Sequence, residues 1–111
     1  MNIKGYVYLL MATDSDGEVE AHKIGITRVH PTLRVKGLAT GNPSKITILS
    51  YYQSNNYRLI ERWFHSRFRH LRTGAKNEWF FLDPETVLNF SHLCKEYDAL
   101  IEGLYGGNTC F

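Results

Sequence analysis

The chain has 111 residues, of which 13 are basic and 11 acidic, so its formal net charge is +2 and its length suits one domain over residues 1–111. It contains no run of about 18 apolar residues, so no membrane-spanning helix is expected. Its two cysteines, Cys94 and Cys110, do not make a disulfide framework or a metal knuckle, and its apolar start lacks a small-residue cleavage site. A reducing, cytoplasmic setting is therefore expected.

The charge is unevenly distributed along the chain. Residues 21–80 carry 11 basic side chains and only two acidic ones, Glu61 and Glu78, which gives this segment a net charge of +9 and leaves −7 for the remainder. A split of this kind favours a polyanionic partner that binds to one face of the protein.

A β-hairpin is predicted near the N-terminus. The segments 5–11, GYVYLLM, and 19–27, VEAHKIGIT, are of strand type, and the turn signal DSDG at 14–17 lies between them. Alternation places Lys23 and Gly25 on the same face of the second strand. A glycine inside a strand indicates either a bulge or a close approach of another group to the backbone.

A helix, a third strand and a second helix follow the hairpin. Pro31 opens a short helix over 32–38, which the sequence Gly-Asn-Pro at 41–43 ends. The alternating segment 45–53 is predicted to be the third strand, and the loop 54–56 supplies an N-cap for the next helix.

The second helix, predicted over 57–72, carries the most distinctive pattern in the chain. Its apolar residues recur at steps of four and three: Ile60, Phe64, Phe68 and Leu71. Arg67 falls inside this apolar stripe as its one misfit, and Glu61 lies at the edge of the stripe. Basic residues follow Glu61 around the polar face: Arg58, His65, Arg69 and Arg72. The simplest interpretation of Glu61 is an exposed ion pair with Arg58 or Arg62.

A short strand at 78–82 and a C-terminal helix over 84–105 complete the prediction. Asp83 is the N-cap of this helix, and Pro84 takes its first position. The inner face of the helix recurs at steps of three and four: Val87, Phe90, Cys94, Tyr97, Ile101 and Leu104. The order β-β-α-β-α-β-α predicts an α+β fold in which helices pack on a small sheet.

Five side chains could together carry out phosphodiester chemistry: Tyr6, Tyr8, Lys23, Arg34 and Glu61. A carboxylate can hold Mg²⁺ or Mn²⁺, a guanidinium can stabilise charge on phosphoryl oxygens, and a phenol or an amine can activate water. The pattern also has ordinary structural interpretations. Tyr8 would then be a core aromatic residue, Lys23 and Arg34 surface charges, and His65 a solvated residue of the polar face.

Several of these segments together resemble the GIY-YIG nuclease superfamily, in its short phage- and bacteria-encoded branch. The resemblance covers about residues 5–82. It rests on GYVYLL followed by KIGIT, on an arginine nine residues after Gly25, on ER..H..F beginning at Glu61, and on EWF at 78–80. It implies a three-stranded antiparallel sheet flanked by helices, here with an extra C-terminal helix, and a cytoplasmic location, which is the host cytoplasm if the chain is phage-encoded.

The resemblance also implies roles for individual residues. Tyr8 matches the tyrosine of the first motif, Arg34 the catalytic arginine and Glu61 the metal-binding glutamate. Tyr6 stands at a glycine position of the first motif, and Lys23 replaces the tyrosine of the second motif. The expected catalytic set is therefore Tyr8, Lys23, Arg34 and Glu61, with Mg²⁺ or Mn²⁺ on Glu61. The expected substrate-binding set is Tyr6, Gly25, Arg28, Arg58, His65, Arg69 and Arg72.

Three functions compete at this point. The first is a divalent-metal-dependent DNA endonuclease, and the second is a nucleic-acid-binding module of the same fold without turnover. Both predict DNA binding that weakens with salt, and only the first predicts cleavage that needs a metal ion and Glu61. The third is a protein-interaction domain, which predicts no DNA binding at low salt.

Asn77 and Glu78 are candidates for a late polar residue of the superfamily.

Overall fold

The computed structural model describes residues 4–39, 44–73 and 79–105, which form a four-stranded antiparallel sheet with helices. The strands are β1 (Gly5–Thr13), β2 (Val19–Thr27), β3 (Lys45–Ser54) and β4 (Trp79–Phe80). The helices are α1 (Pro31–Ala39), α2 (Tyr57–Arg67), α3 (Pro84–Leu88) and α4 (Phe90–Tyr105), with a 3₁₀ turn at Arg69–Leu71 after α2. The predicted α+β class is confirmed, and the sheet has one strand more than the three that the resemblance implies, because the short strand predicted at 78–82 joins it as β4. The predictions made for residues 41–43, Asn77, Glu78 and Cys110 lie outside the described residues.

The strand order is β3-β1-β2-β4, so β1 lies inside the sheet, and its side chains are buried on both faces. Val7 and Leu9 are fully buried on one face, and Tyr8 and Leu10 are buried on the other. The predicted turn after β1 is confirmed, because the Asp14 carboxylate accepts hydrogen bonds from the backbone N–H groups of Asp16 and Glu18. Gly17 closes the turn with φ +82°, a conformation that favours glycine.

The hydrophobic core lies between one face of the sheet and the helices α2 and α4. Its members include Val7, Leu9 and Ile24 from the sheet, Ile60 and Phe64 from α2, and Phe90, Cys94, Tyr97 and Ile101 from α4. The apolar spacing of both helices therefore predicted their buried faces. Leu104 is an exception, since its side chain is 61% exposed near the end of α4.

The helix predicted over 57–72 ends earlier than expected. The α-helix stops at Arg67, and the chain tightens into a 3₁₀ turn in which the N–H groups of Leu71 and Arg72 bond three residues back. Arg72 is then extended and forms an antiparallel bridge with Phe80 of β4, so the chain has left the helix at this point. The helical wheel placed Arg69 and Arg72 on the polar face of α2. Because the helix ends at Arg67, they do not continue that face.

Arg67, the misfit of the apolar stripe, connects two helices. Its Nη1 donates a hydrogen bond of 2.9 Å to the phenol oxygen of Tyr97 on α4, and its guanidinium group lies 5.4 Å from the ring centre of Phe68. A long side chain can cover apolar surface in this way while its charged end reaches a polar partner.

The C-terminal helix is divided at Asn89, where the backbone N–H bonds back to both Glu85 and Val87. The predicted cap at Asp83 is confirmed, since its carboxylate accepts from the N–H of Thr86. Asn56 precedes α2 without a side-chain cap bond, so that part of the prediction was wrong. Its side-chain amide instead donates to Asp98 and Glu102 on α4.

Candidate active site

Tyr8 and Gly25 face each other across the hairpin and are in direct contact. They are paired residues of β1 and β2, and the Tyr8 side chain is 1% exposed. A Cβ atom on Gly25 would lie 2.5 Å from the phenol oxygen and 2.6 Å from the ring carbon that carries it. The close approach predicted at Gly25 is therefore made by a phenol of the same chain, and glycine is required there because it leaves room for this ring.

Lys23 lies on the same face of the sheet as Tyr8, two residues before Gly25. It pairs with Leu10 of β1 and with Trp79 of β4, and its residue surface is only 7% exposed. Its amine nitrogen is 5.8 Å from the ring centre of Trp79. The interpretation of Lys23 as an ordinary surface charge was wrong, because lysine is rarely this buried unless it is paired.

His65 on α2 forms a hydrogen bond with β2 at Ile24, the residue between Lys23 and Gly25. Its Nε2 donates a 2.8 Å hydrogen bond to the backbone carbonyl of Ile24, and its ring meets Phe80 edge-on at 4.9 Å. A carbonyl only accepts, so Nε2 carries the proton. His65 is therefore a half-buried connection between helix and sheet, and the expectation of a solvated residue on a polar face was wrong.

Glu61 stands one helical turn before His65. Its Oε2 lies 3.9 Å from the Nε2 of His65, and the Glu61 side chain is 19% exposed. Because His65 reaches the backbone at Ile24, the carboxylate of Glu61 lies close to the stretch of β2 that contains Lys23 and Gly25. The structure thus brings Tyr8, Lys23 and Gly25 together on one face of the sheet, whereas Glu61 lies on α2, which packs against the opposite face and reaches β2 at the Ile24 carbonyl through His65.

The predicted arginines are placed differently from this group. Arg34 lies in the N-terminal half of α1, which packs against β3, and its side chain is exposed. Within the described part of the chain no hydrogen bond joins Arg34 to Tyr8, Lys23 or Glu61. The other predicted arginines are also exposed: Arg28 after β2, Arg58 at the start of α2, and Arg69 and Arg72 after α2. The Arg58 guanidinium lies 5.3 Å from the ring centre of Tyr57.

Of the described residues, Glu61 is the carboxylate that the sequence predicts as the ligand of a metal ion. Among the described residues, no group of three or more His, Cys, Asp or Glu side chains could enclose an ion. Glu61 is partly exposed and offers two oxygen atoms, which suits Mg²⁺ because this ion keeps several waters and often binds through one or two carboxylates. The donor type therefore fits the predicted ion, with phosphate and water oxygens as the other ligands.

Sequence reasoning missed an aromatic cluster beside this site. Tyr6, His30 and Tyr51 come from β1, the segment before α1, and β3, and their rings are in mutual contact. Tyr51 is paired with Tyr8 across β1 and β3. The three positions lie far apart in sequence, and the only available signal was the alternation that puts aromatic residues on one face of each strand.

Comparison with known proteins gives one family. The family model of the T5orf172 domain matches residues 5–95. Neither the curated proteins nor the solved structures include a match to the chain. None of the helices in the described ranges has the length and apolar character that a membrane crossing requires.

Proposed function

Because the chain belongs to the T5orf172 domain family, which occurs in phage and bacterial nuclease-like proteins, we propose that it is a divalent-cation-dependent DNA endonuclease of the GIY-YIG type. The observation that carries the proposal is the burial of Lys23 beside Tyr8. An ammonium group is costly to remove from water, so a buried lysine on the same sheet face as a buried phenol is more typical of a reaction centre than of a surface.

Glu61 is the proposed ligand of the divalent ion. When bound there, Mg²⁺ or Mn²⁺ would supply positive charge to the phosphate group and to the leaving oxygen. The hydrogen bond from His65 to Ile24 holds α2 against β2, and so keeps the Glu61 carboxylate near the β2 backbone at Ile24. His65 is thus proposed as a positioning residue, in place of the substrate contact expected from the sequence.

Tyr8 and Lys23 are the two proposed acceptors for the proton of the attacking water. Water adds to phosphorus as its proton passes to Tyr8 in the phenolate form or to Lys23 in the uncharged amine form, and the bond from phosphorus to the leaving oxygen breaks with its electron pair going to that oxygen. Both side chains are buried, so their positions are fixed before the substrate binds. Gly25 contributes by leaving the space that the Tyr8 phenol occupies.

The exposed arginines are proposed to bind the DNA backbone. Arg34 stands at the beginning of α1, and in this proposal its guanidinium group stabilises the charge that develops on the phosphoryl oxygens. Arg28, Arg58, Arg69 and Arg72 would contact phosphates along the strand and carry no sequence information. This matches the net charge of +9 in residues 21–80.

The test is cleavage of supercoiled duplex, linear duplex and single-stranded DNA by the purified protein, with Mg²⁺ or Mn²⁺ and with a chelator. The proposal expects cleavage with a metal ion and none with the chelator, together with binding that weakens as salt rises. Binding without cleavage in either metal, on both duplex and single-stranded substrates, would overturn the proposal and favour a nucleic-acid-binding module.

A further inference from the structure

Tyr6, His30 and Tyr51 form a compact aromatic cluster at the protein surface. The ring centres lie 5.0 Å apart for His30 and Tyr51, 5.5 Å for Tyr6 and His30, and 5.9 Å for Tyr6 and Tyr51, and the rings meet edge to face. Tyr51 nevertheless remains 44% exposed. An aromatic ring that served the core alone would be buried, so part of this cluster is open to a ligand.

Hydrogen bonds hold the rings in place. The backbone N–H of Thr32 donates to Nδ1 of His30, so Nδ1 is unprotonated and the ring proton of the neutral imidazole lies on Nε2. Nε2 then donates to the phenol oxygen of Tyr51 at 3.2 Å, and the side-chain amide of Gln53 donates to Tyr6 at 3.4 Å. Rings fixed in this way lose little conformational entropy when a ligand binds.

The cluster adjoins the candidate active site. Tyr51 pairs with Tyr8 across β3 and β1, and Tyr6 is two residues before Tyr8, so all three side chains are on one face of the sheet. Two exposed arginines flank His30 in the chain, Arg28 before it and Arg34 at the start of α1. An exposed ring in contact with a residue that two arginines flank in the chain is complementary to a nucleic-acid strand, which presents aromatic bases on a line of phosphates.

We propose that Tyr51, held by His30 and Tyr6, stacks against an unpaired nucleobase next to the phosphodiester group that is cleaved. The proposal rests on the proposed endonuclease function, for which it names the form of the substrate. A paired base in a duplex is covered on both faces by its neighbours, whereas an unpaired base offers a face to a protein ring. The substrate is thus a strand with at least one unstacked nucleotide at the active site.

The experiment measures binding in the presence of chelator, where no cleavage interferes. Three labelled DNAs are compared: a short thymidylate single strand, the same strand with abasic sites, and a fully paired duplex. The variants are Tyr51→Leu, Tyr51→Phe, and Tyr105→Leu as a matched control, because Tyr105 is a 71% exposed tyrosine at the far end of α4. Thermal unfolding checks that each variant is folded.

The proposal expects Tyr51→Leu to weaken binding of the thymidylate strand by about 5- to 150-fold, the range for the loss of one stacked base. Binding of the abasic strand and the duplex should change little, Tyr51→Phe, which keeps the ring but loses the bond from His30, should weaken binding of the thymidylate strand much less than Tyr51→Leu, and Tyr105→Leu should bind all three DNAs as the original protein does. Equal weakening on all three DNAs, or none on the thymidylate strand, would overturn the stacking proposal and leave the endonuclease function standing. Absence of salt-sensitive binding to any of the DNAs would overturn both.

Discussion

Replacement of Gly25 by alanine tests the contact at the centre of the candidate site. The added Cβ would lie 2.5 Å from the Tyr8 phenol oxygen and 2.6 Å from its ring carbon, whereas ordinary van der Waals contact begins at 3.4 Å. The ring must therefore retreat by about 1 Å, and a displacement of this size at a reaction centre can cost about 10²-fold in rate. Because Tyr8 is 1% exposed, the ring has no free space to enter, and we expect Gly25→Ala to lower the free energy of unfolding by about 1–3 kcal/mol.

The matched control is Gly103→Ala on α4. Among the described residues, a Cβ at Gly103 would meet no atom within 4 Å apart from its chain neighbours and the backbone of its own helix, so this substitution should raise the free energy of unfolding by up to about 1 kcal/mol through helix propensity. Urea denaturation of both variants gives the stability difference, and cleavage rates in saturating metal ion give the effect on the site. If Gly25→Ala were as stable as Gly103→Ala and cleaved DNA at the original rate, the contact with Tyr8 would not constrain the site.

The remaining predictions concern pH and salt. Burial lowers the pKa of His22, whose Nδ1 has no partner among the described residues. Below about pH 6.5 the unfolded chain therefore binds more protons at this histidine than the folded chain does. The free energy of unfolding consequently falls as the pH drops through this value. His22→Leu should remove this loss in urea denaturation measured at several pH values, and an unchanged pH profile would contradict the assignment. Burial and the hydrogen bond to Asp98 raise the pKa of Tyr52 to about 12, so the stability that this tyrosine contributes is complete below about pH 10 and lost as the pH rises towards 12. Tyr52→Phe should flatten the alkaline limb, and a limb that stays as steep would argue against this bond. Replacing the exposed residues Arg58, Arg69 and Arg72 together should reduce the slope of log affinity for DNA against log salt concentration by up to about 3. The reduction should be equal for different DNA sequences, and a loss of affinity confined to one sequence would show base recognition instead.

Much of the fold follows from local patterns in the sequence. Steps of three and four residues identified the buried faces of α2 and α4, and the DSDG turn with its flanking strands identified the hairpin. Alternation also placed Lys23 and Gly25 on one face, and the lone glycine inside a strand indicated the close contact that Tyr8 makes. These features depend on residues that are close together in the chain, so they could be predicted from the sequence.

The depth of a side chain and its distant partners depend on the tertiary structure. Alternation gives the face on which Lys23 lies, but its burial depends on the packing of β1 and β4 around it. The helical wheel put His65 on a solvated face, whereas β2 brings a backbone carbonyl to it. The pairing of Arg72 with Phe80 ended α2 early, and the cluster of Tyr6, His30 and Tyr51 joins three separate segments. Such contacts override local propensity.

The central claim is that Glu61 anchors a divalent ion for DNA cleavage, and the single-turnover cleavage rate of Glu61→Gln tests it most directly. The matched control is Glu96→Gln, which removes the charge of a carboxylate that pairs with His92 on α4. The account predicts that Glu61→Gln slows cleavage by about 10²-fold or more in Mg²⁺ while DNA binding in chelator is retained, and that Glu96→Gln cleaves at the original rate. Cleavage by folded Glu61→Gln at the rate of the original protein would contradict the account.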